Sequence, residues 1–375
     1  MDLETVVVTI REKLEKSYNL LLKHAGFLEN QDIGYAAPGG EEIRKKIQPT
    51  IKVDTEQFEG DYTKAREKFI EEASFTTLNR LVGIKVMECR GFINRTVITK
   101  KSSTADKSEE HFLYLNVHPE KIKEPGQGIN TVLEKSQQQL ASEIPQLYGE
   151  NRYGIFPRDS DTMAVIDLIN SVPDDEWKKD DVIGWTYQYY HIPERQKLKQ
   201  TKQKIDHESV KYQSQQYTPR WVVKYLVDNT LGRLYLEMYP NSILYEELDI
   251  PIPRSDLKQK REPKKLEEIK ILDPACGSGN FLIYSFELLS KMYLEQGYER
   301  DQIPENILKY NLHGIDIDDR AAQLAILGLY FKAKNFSSVK KSYIFNIVST
   351  DFYLFDGKRL ANIKAQFKSS QGILN

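Results

Sequence analysis

The chain has 375 residues, a formal net charge of −2 and 40% apolar residues, which leaves room for two globular domains with cores of ordinary size. It contains no run of about 18 apolar residues, so a membrane-spanning helix is not expected, and its near-neutral charge gives no sign of a globally basic nucleic-acid binder. The first residues lack a signal-peptide pattern, and the two cysteines, Cys89 and Cys276, are typical of a reducing compartment, so we predict a cytoplasmic protein.

Apolar residues at helical spacing dominate the chain before residue 195. We predict helices over 5–22, 69–92, 130–147, 161–170 and 180–190. The polar stretch 102–110 is expected to be a loop.

The composition changes abruptly at residue 195, where Lys and Gln replace the apolar residues. We therefore predict a helical N-terminal domain over 1–205 and a second domain over 206–375. The basic run 195–211 and a second one at 254–265 fit two interpretations. Each is either a solvated surface or a stripe that contacts the phosphates of DNA, and the sequence does not decide between them.

Thr218 and Pro219 precede an apolar stretch at 221–227. This pattern predicts a helix that is capped by the Thr218 hydroxyl and has Pro219 at its first position. Strands predicted at 269–273, 312–316 and 343–348 then alternate with helices at 280–295 and 318–333. Such alternation indicates an α/β fold with parallel strands, in which ligands bind beyond the carboxyl ends of the strands.

A glycine-rich turn at 273–281, with the sequence DPACGSGNF, joins the first of these strands to its helix. Gly277 and Gly279 would let a ligand lie against the bare backbone, and the helix would direct its free N–H groups at it. Asp273 would accept hydrogen bonds from a positively charged group. A dinucleotide pyrophosphate favours G-x-G-x-x-G without a carboxylate, so the turn favours S-adenosylmethionine; a turn without any ligand is the alternative.

Three acidic residues follow the later strands. Asp316 can accept both hydroxyls of a ribose, with Ile317 packing on the adenine, and it lies further from Asp273 than the roughly 20 residues typical of nicotinamide-binding folds. We predict that Asp318 caps the next helix. Asp351 either accepts a hydrogen bond from the adenine amino group or is an ordinary residue at a strand end. The His and Cys spacings fit no metal motif, so no metal site is predicted.

With these residues, the C-terminal part resembles the amino-methyltransferases that modify adenine in DNA. The resemblance implies that the turn is their S-adenosylmethionine motif, Asp316 their ribose-binding acid and Asp351 their adenine-contacting position. Residues 216–219 resemble the segment that closes over the methionine end, in the order of the gamma class. The implied cofactor-binding residues are Thr218, Pro219, Asp273, Ala275, Cys276, Gly277, Gly279, Asn280, Phe281, Asp316, Ile317 and Asp351.

The resemblance extends upstream. Residues 75–88, 181–190, 217–227 and 231–234 are similar to PglX, the methyltransferase of BREX phage-defence systems, and in part to single-chain restriction–modification enzymes. This implies a site-specific adenine-N6 DNA methyltransferase that uses S-adenosylmethionine, acts on double-stranded DNA and has other defence-system proteins as candidate partners.

One family feature is missing. The Asn/Asp-Pro-Pro-Tyr/Phe motif that holds the flipped adenine occurs nowhere in the sequence. We therefore assign no catalytic residue and expect an N-terminal part of a longer enzyme, inactive alone, with a truncated Rossmann-like methyltransferase domain. The alternatives are a helical DNA- or protein-docking module with a vestigial cofactor fold, and an RNA or protein methyltransferase.

Overall fold

The computed structural model describes residues 2–193, 195–196, 218–337 and 342–350, and up to residue 196 they are mainly helical. None of the helices in these ranges combines the length and apolar character that a bilayer crossing needs. The helices of this first part are α1 Leu3–His24, α2 Glu41–Gln57, α3 Tyr62–Cys89, α4 Glu109–Val117, α5 Ile129–Ala141, α6 Pro145–Tyr148, α7 Asp159–Asn170, α8 Asp174–Trp177 and α9 Val182–Tyr190, with 3-10 turns at Ser102–Thr104 and Pro119–Lys123.

All five helices predicted for this part are present, although the one predicted over 130–147 is divided into α5 and α6. Three helices were missed: α2, α4 and the four-residue α8. Helix α2 contains Pro49 in its interior, a residue that normally ends a helix. Helix α4 begins inside the predicted loop 102–110, where Ser108 caps it by accepting a hydrogen bond from the His111 N–H at 3.4 Å.

Helix α3 is the centre of the first part, and from residue 73 to residue 87 all of its side chains are buried. The buried Arg80 guanidinium donates to the carbonyls of Leu147 and Gly149 at 2.9 and 2.8 Å. The buried Lys85 ammonium forms an ion pair with Asp174 at 2.7 Å. These partners compensate for the cost of burying two cations.

The second part begins with helices and continues as an alternation of strands and helices. Its elements are α10 Arg220–Val227, a π-helical turn Asp228–Gly232, α11 Arg233–Met238, β1 Ile271–Asp273, α12 Asn280–Glu295, α13 Ile303–Asn306, a π-helical turn Ile307–Asn311, β2 Leu312–Asp316, α14 Asp319–Phe336 and β3 Asn346–Ser349. Short 3-10 turns lie at Ile243–Glu247, Arg254–Asp256, Leu266–Glu268 and Arg300–Gln302.

The three strands form a parallel sheet in the order β1-β2-β3. Asp273 is paired with Gly314 and Asp316 with Ser349, so the carboxyl ends of the strands meet at one edge. Helices α12 and α14 pack against the sheet and against each other. The predicted parallel α/β arrangement is confirmed at this level.

The start of α10 differs from the prediction. The helix begins at Arg220, and Pro219 occupies the capping position with no side-chain hydrogen bond to the first turn. The Pro219 carbonyl instead accepts from the N–H groups of Val222 and Val223. Because Pro219 is itself extended, with ψ 140°, the helix starts one residue later than expected and Thr218 lies outside the capping position. The predicted Thr218 cap is wrong.

Nearly all buried apolar side chains of both parts belong to one continuous cluster. For example, the rings of Phe92 in the first part and Phe331 in α14 have centroids 6.0 Å apart. The boundary predicted at residue 205 lies outside the described residues. The division into two domains stays a prediction.

We expect Gly314→Ala to destabilise the sheet. A methyl group at this position would lie 2.7 Å from Ile347 Cδ1 and 2.9 Å from Leu282 Cδ1, so the free energy of unfolding should fall by about 1–3 kcal/mol. Denaturant unfolding measures the change. Val348→Thr is the control, because this exposed β3 side chain should tolerate an isosteric change within about 0.5 kcal/mol. Equal stability of the two variants would contradict the packing argument.

Candidate functional site

The turn between β1 and α12 has two glycines with left-handed backbone conformations that serve different purposes. Gly279, with φ +86°, packs against α14, where an added Cβ would lie 2.9 Å from the Ala325 Cβ. Gly277, with φ +52°, has no other atom within 4 Å of the place where a Cβ would stand. Gly277 therefore presents bare backbone to open space, which is what a ligand lying against the turn requires.

Hydrogen bonds attach this turn to the end of β2. The Cys276 N–H donates to the Ile315 carbonyl at 2.9 Å, and the Gly277 N–H donates to Asp316 Oδ2 at 2.7 Å. Two hydrogen bonds thus hold the turn against the end of β2 and the predicted ribose-binding acid.

Asp316 also connects the other strand ends. Its Oδ1 accepts a hydrogen bond from the Asp318 N–H at 2.9 Å, and its carbonyl accepts one from the Thr350 N–H, just after β3, at 2.8 Å. Since a carboxylate oxygen can accept two hydrogen bonds, each oxygen of Asp316 keeps the capacity for one more donor.

Asp273 lies half-buried at the end of β1, where its Oδ1 accepts from the Ala275 N–H at 3.2 Å. Burial, and secondarily the Asp316 carboxylate, raise the pKa of the Asp273 carboxyl above its usual value. Neither Asp273 nor Asp316 forms an ion pair with any Lys, Arg or His in the part of the chain that the structure describes. Among the described residues, the two carboxylates at this edge of the sheet therefore have no cationic partner.

Thr218 lies beside the start of α12. Together with Asn280 and Tyr284 it lines a small cleft. The neighbouring Arg220 holds this segment by pairing with Asp180 at 3.4 Å and with Glu287 of α12 at 3.2 Å. Of the remaining predicted residues, Cys276 is buried, Phe281 packs against the core, and Ala275 and Ile317 are exposed.

The predicted helix cap at Asp318 is confirmed, since its Oδ1 accepts from the Arg320 N–H at 3.0 Å. The structure adds a buried network that the sequence did not reveal. The Tyr187 hydroxyl donates to Asp318 Oδ2 at 2.5 Å, Arg320 Nε donates to Asp318 Oδ1 at 3.2 Å, and Arg320 Nη1 donates to Glu71 at 2.7 Å.

No sequence signal pointed to Tyr187, because 131 residues separate it from Asp318. Although burial opposes ionisation, the Arg320 guanidinium and the Tyr187 hydroxyl hold the pKa of the Asp318 carboxyl well below its usual range. Asp318 is therefore a carboxylate at neutral pH.

Several predicted features lie outside the described residues. They are Asp351, residues 216–217 and most of the basic run 195–211. In the second basic run, Arg254 pairs with Glu246 at 2.7 Å and Arg261 with Glu237 at 2.8 Å, so these two arginines are engaged within the chain. Among the described residues, no cluster of His, Cys, Asp and Glu is suited to holding a metal ion.

Comparison with known proteins identifies similar sequences. Residues 253–349 match the family described as "MmeI, DNA-methyltransferase domain". The adenine-specific methyltransferase BrxX of Escherichia coli O9:H4 (strain HS) is 36% identical over 176 residues, which are 44% of this chain and 14% of that protein. The adenine-specific methyltransferase PglX of Lacticaseibacillus casei (strain Zhang) is 24% identical over 420 residues, covering 94% of this chain and 34% of that protein.

A third relative is a putative type II restriction enzyme and methyltransferase of Methanocaldococcus jannaschii, 34% identical over 135 residues, which are 30% of this chain and 11% of that protein. The resemblance to PglX-type adenine methyltransferases inferred from the sequence is confirmed by these similarities. The chain spans 14% and 34% of the lengths of the BrxX and PglX relatives that it matches.

We expect Asp273→Asn to stabilise the free protein at neutral pH. The raised pKa of Asp273 means that ionising this carboxyl costs folded-state stability once the pH exceeds its unfolded value of about 3.9. The amide removes that cost, so the Tm at pH 7 should rise, and the gain should disappear below about pH 4, where Asp273 is protonated in both states. Asp256→Asn, at an exposed position, is the control. A lower Tm for Asp273→Asn at pH 7 would contradict this account.

Both cysteines should react slowly with iodoacetamide. Burial, followed by the Asp316 and Asp273 carboxylates, raises the pKa of the Cys276 thiol to about 12, and burial raises that of Cys89 to about 11. At pH 8 the Cys276 thiolate is then on the order of 10³-fold scarcer than in an ordinary exposed cysteine. Peptide mass spectrometry should show Cys89 modified first and Cys276 protected until denaturant is added. Early modification of Cys276 would show that the turn is more open than described.

Proposed function

We propose that this chain carries the S-adenosylmethionine-binding part of a site-specific adenine-N6 DNA methyltransferase of the BREX or restriction–modification kind. The α/β part would then be a portion of a Rossmann-like methyltransferase domain. The similarity to BrxX and PglX supports the reaction. The charge and geometry of the site support S-adenosylmethionine as the cofactor.

The observation that carries the proposal is the pair of uncompensated carboxylates at the sheet edge. Asp273 and Asp316 lie close enough for one to raise the pKa of the other, and no described cation neutralises them. A ligand with a net positive charge relieves this repulsion, whereas the pyrophosphate of a dinucleotide adds to it. S-adenosylmethionine has an ammonium and a sulfonium group against one carboxylate.

The residues present fit this cofactor. The open space over Gly277 admits a ligand against the backbone, and the first N–H groups of α12 favour a carboxylate there. Asp273 would accept from the ammonium group. Asp316, with one acceptor site left on each oxygen, would hold the two ribose hydroxyls. The side chain of Ile317, which is 43% exposed beside Asp316, would cover the adenine, and Asp351 would accept from its amino group.

The cofactor supplies an activated methyl group on its sulfonium. The residues of this chain would therefore contribute by binding and orienting it, and positioning of two reactants accounts for much of the rate acceleration in such transfers. No residue of this chain is assigned to the amino group of the target adenine in DNA. The sequence contains no Pro-Pro pair and therefore no Asn/Asp-Pro-Pro-Tyr/Phe motif. Double-stranded DNA as substrate, defence-system proteins as partners and a cytoplasmic location are parts of the same proposal.

Asp316→Asn should weaken the binding of S-adenosylmethionine at least about tenfold in isothermal titration calorimetry, because it removes charge and acceptor capacity facing the ribose. Asp319→Asn is the matched control. It makes the same charge change at an exposed position whose carboxylate bonds Ser349 and Gln323 instead, so its affinity should stay within about twofold of the unchanged protein.

Absence of binding by the unchanged chain would overturn the assignment of the cofactor. It would then favour the alternative that this chain is a helical docking module with a vestigial cofactor fold. Equal losses in Asp316→Asn and Asp319→Asn would show instead that general negative charge, rather than the Asp316 site, attracts the ligand.

A further inference from the structure

The network around Asp318 joins the helical first part to the cofactor side of the sheet. Tyr187 belongs to α9 and Glu71 to α3, whereas Asp318 and Arg320 stand at the start of α14. Asp318 and Arg320 are 6% and 2% exposed. The pair formed by Asp318 and Arg320 is thus shielded from water, whereas a fully exposed pair would contribute little to stability.

The same residue, Asp318, supports the proposed ribose-binding acid. Its backbone N–H donates to Asp316 Oδ1, while the other oxygen of Asp316 faces the Gly277 N–H. Only Ile317 separates the two aspartates. The bonds to the Asp318 side chain therefore hold in place the residue whose backbone N–H donates to the Asp316 carboxylate.

We propose that Tyr187 and Glu71 are positioning residues of the cofactor site. They hold the Asp318–Arg320 pair, and through the Asp318 N–H they set the orientation in which Asp316 receives the ribose hydroxyls. The helical first part is accordingly a component of the cofactor site and not only a docking appendage. This inference rests on the proposed function, because it assigns a role toward that cofactor.

The protonation state and the packing of Tyr187 suit a side chain that holds Asp318 in a fixed position. Burial and the Asp318 carboxylate raise the pKa of Tyr187 well above its usual value, so its hydroxyl stays protonated and donates at every working pH. The ring is held in place by Phe75, whose centroid lies 5.7 Å away in an edge-to-face arrangement. Phe75 also lies under the Arg320 guanidinium, 5.4 Å from the ring centroid. One aromatic side chain thus packs against both Tyr187 and Arg320, two of the residues that donate to Asp318.

Tyr187→Phe removes the hydroxyl and keeps the ring. Titration calorimetry with S-adenosylhomocysteine should show a five- to tenfold rise in Kd. With an analogue that lacks both ribose hydroxyls, the same substitution should change Kd less than twofold, because Asp316 then has no hydroxyl to orient. A merely structural role would weaken both ligands alike.

Helix α14 offers a matched control at its other end. Tyr330 donates to Glu143 of the first part at 2.6 Å, so Tyr330→Phe breaks a comparable bond between the same two parts, away from Asp316. This variant should alter neither Kd by more than twofold. Glu71→Gln provides a second variant of the network, which should repeat the ribose-dependent loss to a smaller extent even if Tyr187→Phe folds poorly.

The outcomes are distinguishable. If the unchanged chain binds S-adenosylhomocysteine and Tyr187→Phe binds both ligands as Tyr330→Phe does, the positioning role is wrong and the proposed cofactor site stands. If Tyr187→Phe and Glu71→Gln weaken both ligands equally, the network is structural only and the positioning role is again wrong. If the unchanged chain binds neither ligand, the proposed function fails and the inference fails with it.

Discussion

The buried ion pair between Asp318 and Arg320 is the interaction on which the arrangement of the two parts depends. An arginine that is 2% exposed is tolerated only with partners, and its partners come from both parts of the chain. Asp318 follows β2, whereas Glu71 belongs to α3. Because the buried Arg320 pairs with one carboxylate from each part, separating the two parts would remove one of its two partners, and the shared apolar cluster packs around this contact.

A second constraint comes from the edge of the sheet where the carboxyl ends of the three strands meet. Hydrogen bonds to Asp316 hold these strand ends together. Its side chain and carbonyl accept from the turn after β1, from its own following turn and from the residue after β3. Hydrogen bonds within the protein thus shape the crevice, and such preorganisation lowers the ordering cost of binding. The same arrangement brings Asp316 near the half-buried Asp273, so the free protein carries electrostatic repulsion that a cationic ligand would relieve. Stability and binding make opposite demands at this edge.

The features that could be predicted from the sequence are those determined by neighbours along the chain. The bounds predicted for α12 and β2, 280–295 and 312–316, agree with the structure, because a strong apolar period is interrupted by glycines and acids. The prediction of the Thr218 cap was wrong, because the helix begins one residue later than expected. Such a shift depends on packing, which sequence rules do not describe. The interior Pro49 concealed α2. The support from Tyr187 was invisible because it is a contact in space between distant segments.

Helix α14 is fastened to the first part at both ends, by the bond from Tyr187 to Asp318 and by that from Tyr330 to Glu143. This has a consequence for recombination between relatives. A chimaera that exchanges the helical part alone keeps the whole glycine-rich turn. It nevertheless replaces one of the two partners in each of these hydrogen bonds. A working chimaera would therefore have to keep the side chains that meet across the two parts matched, among them Tyr187 with Asp318, Glu71 with Arg320 and Tyr330 with Glu143.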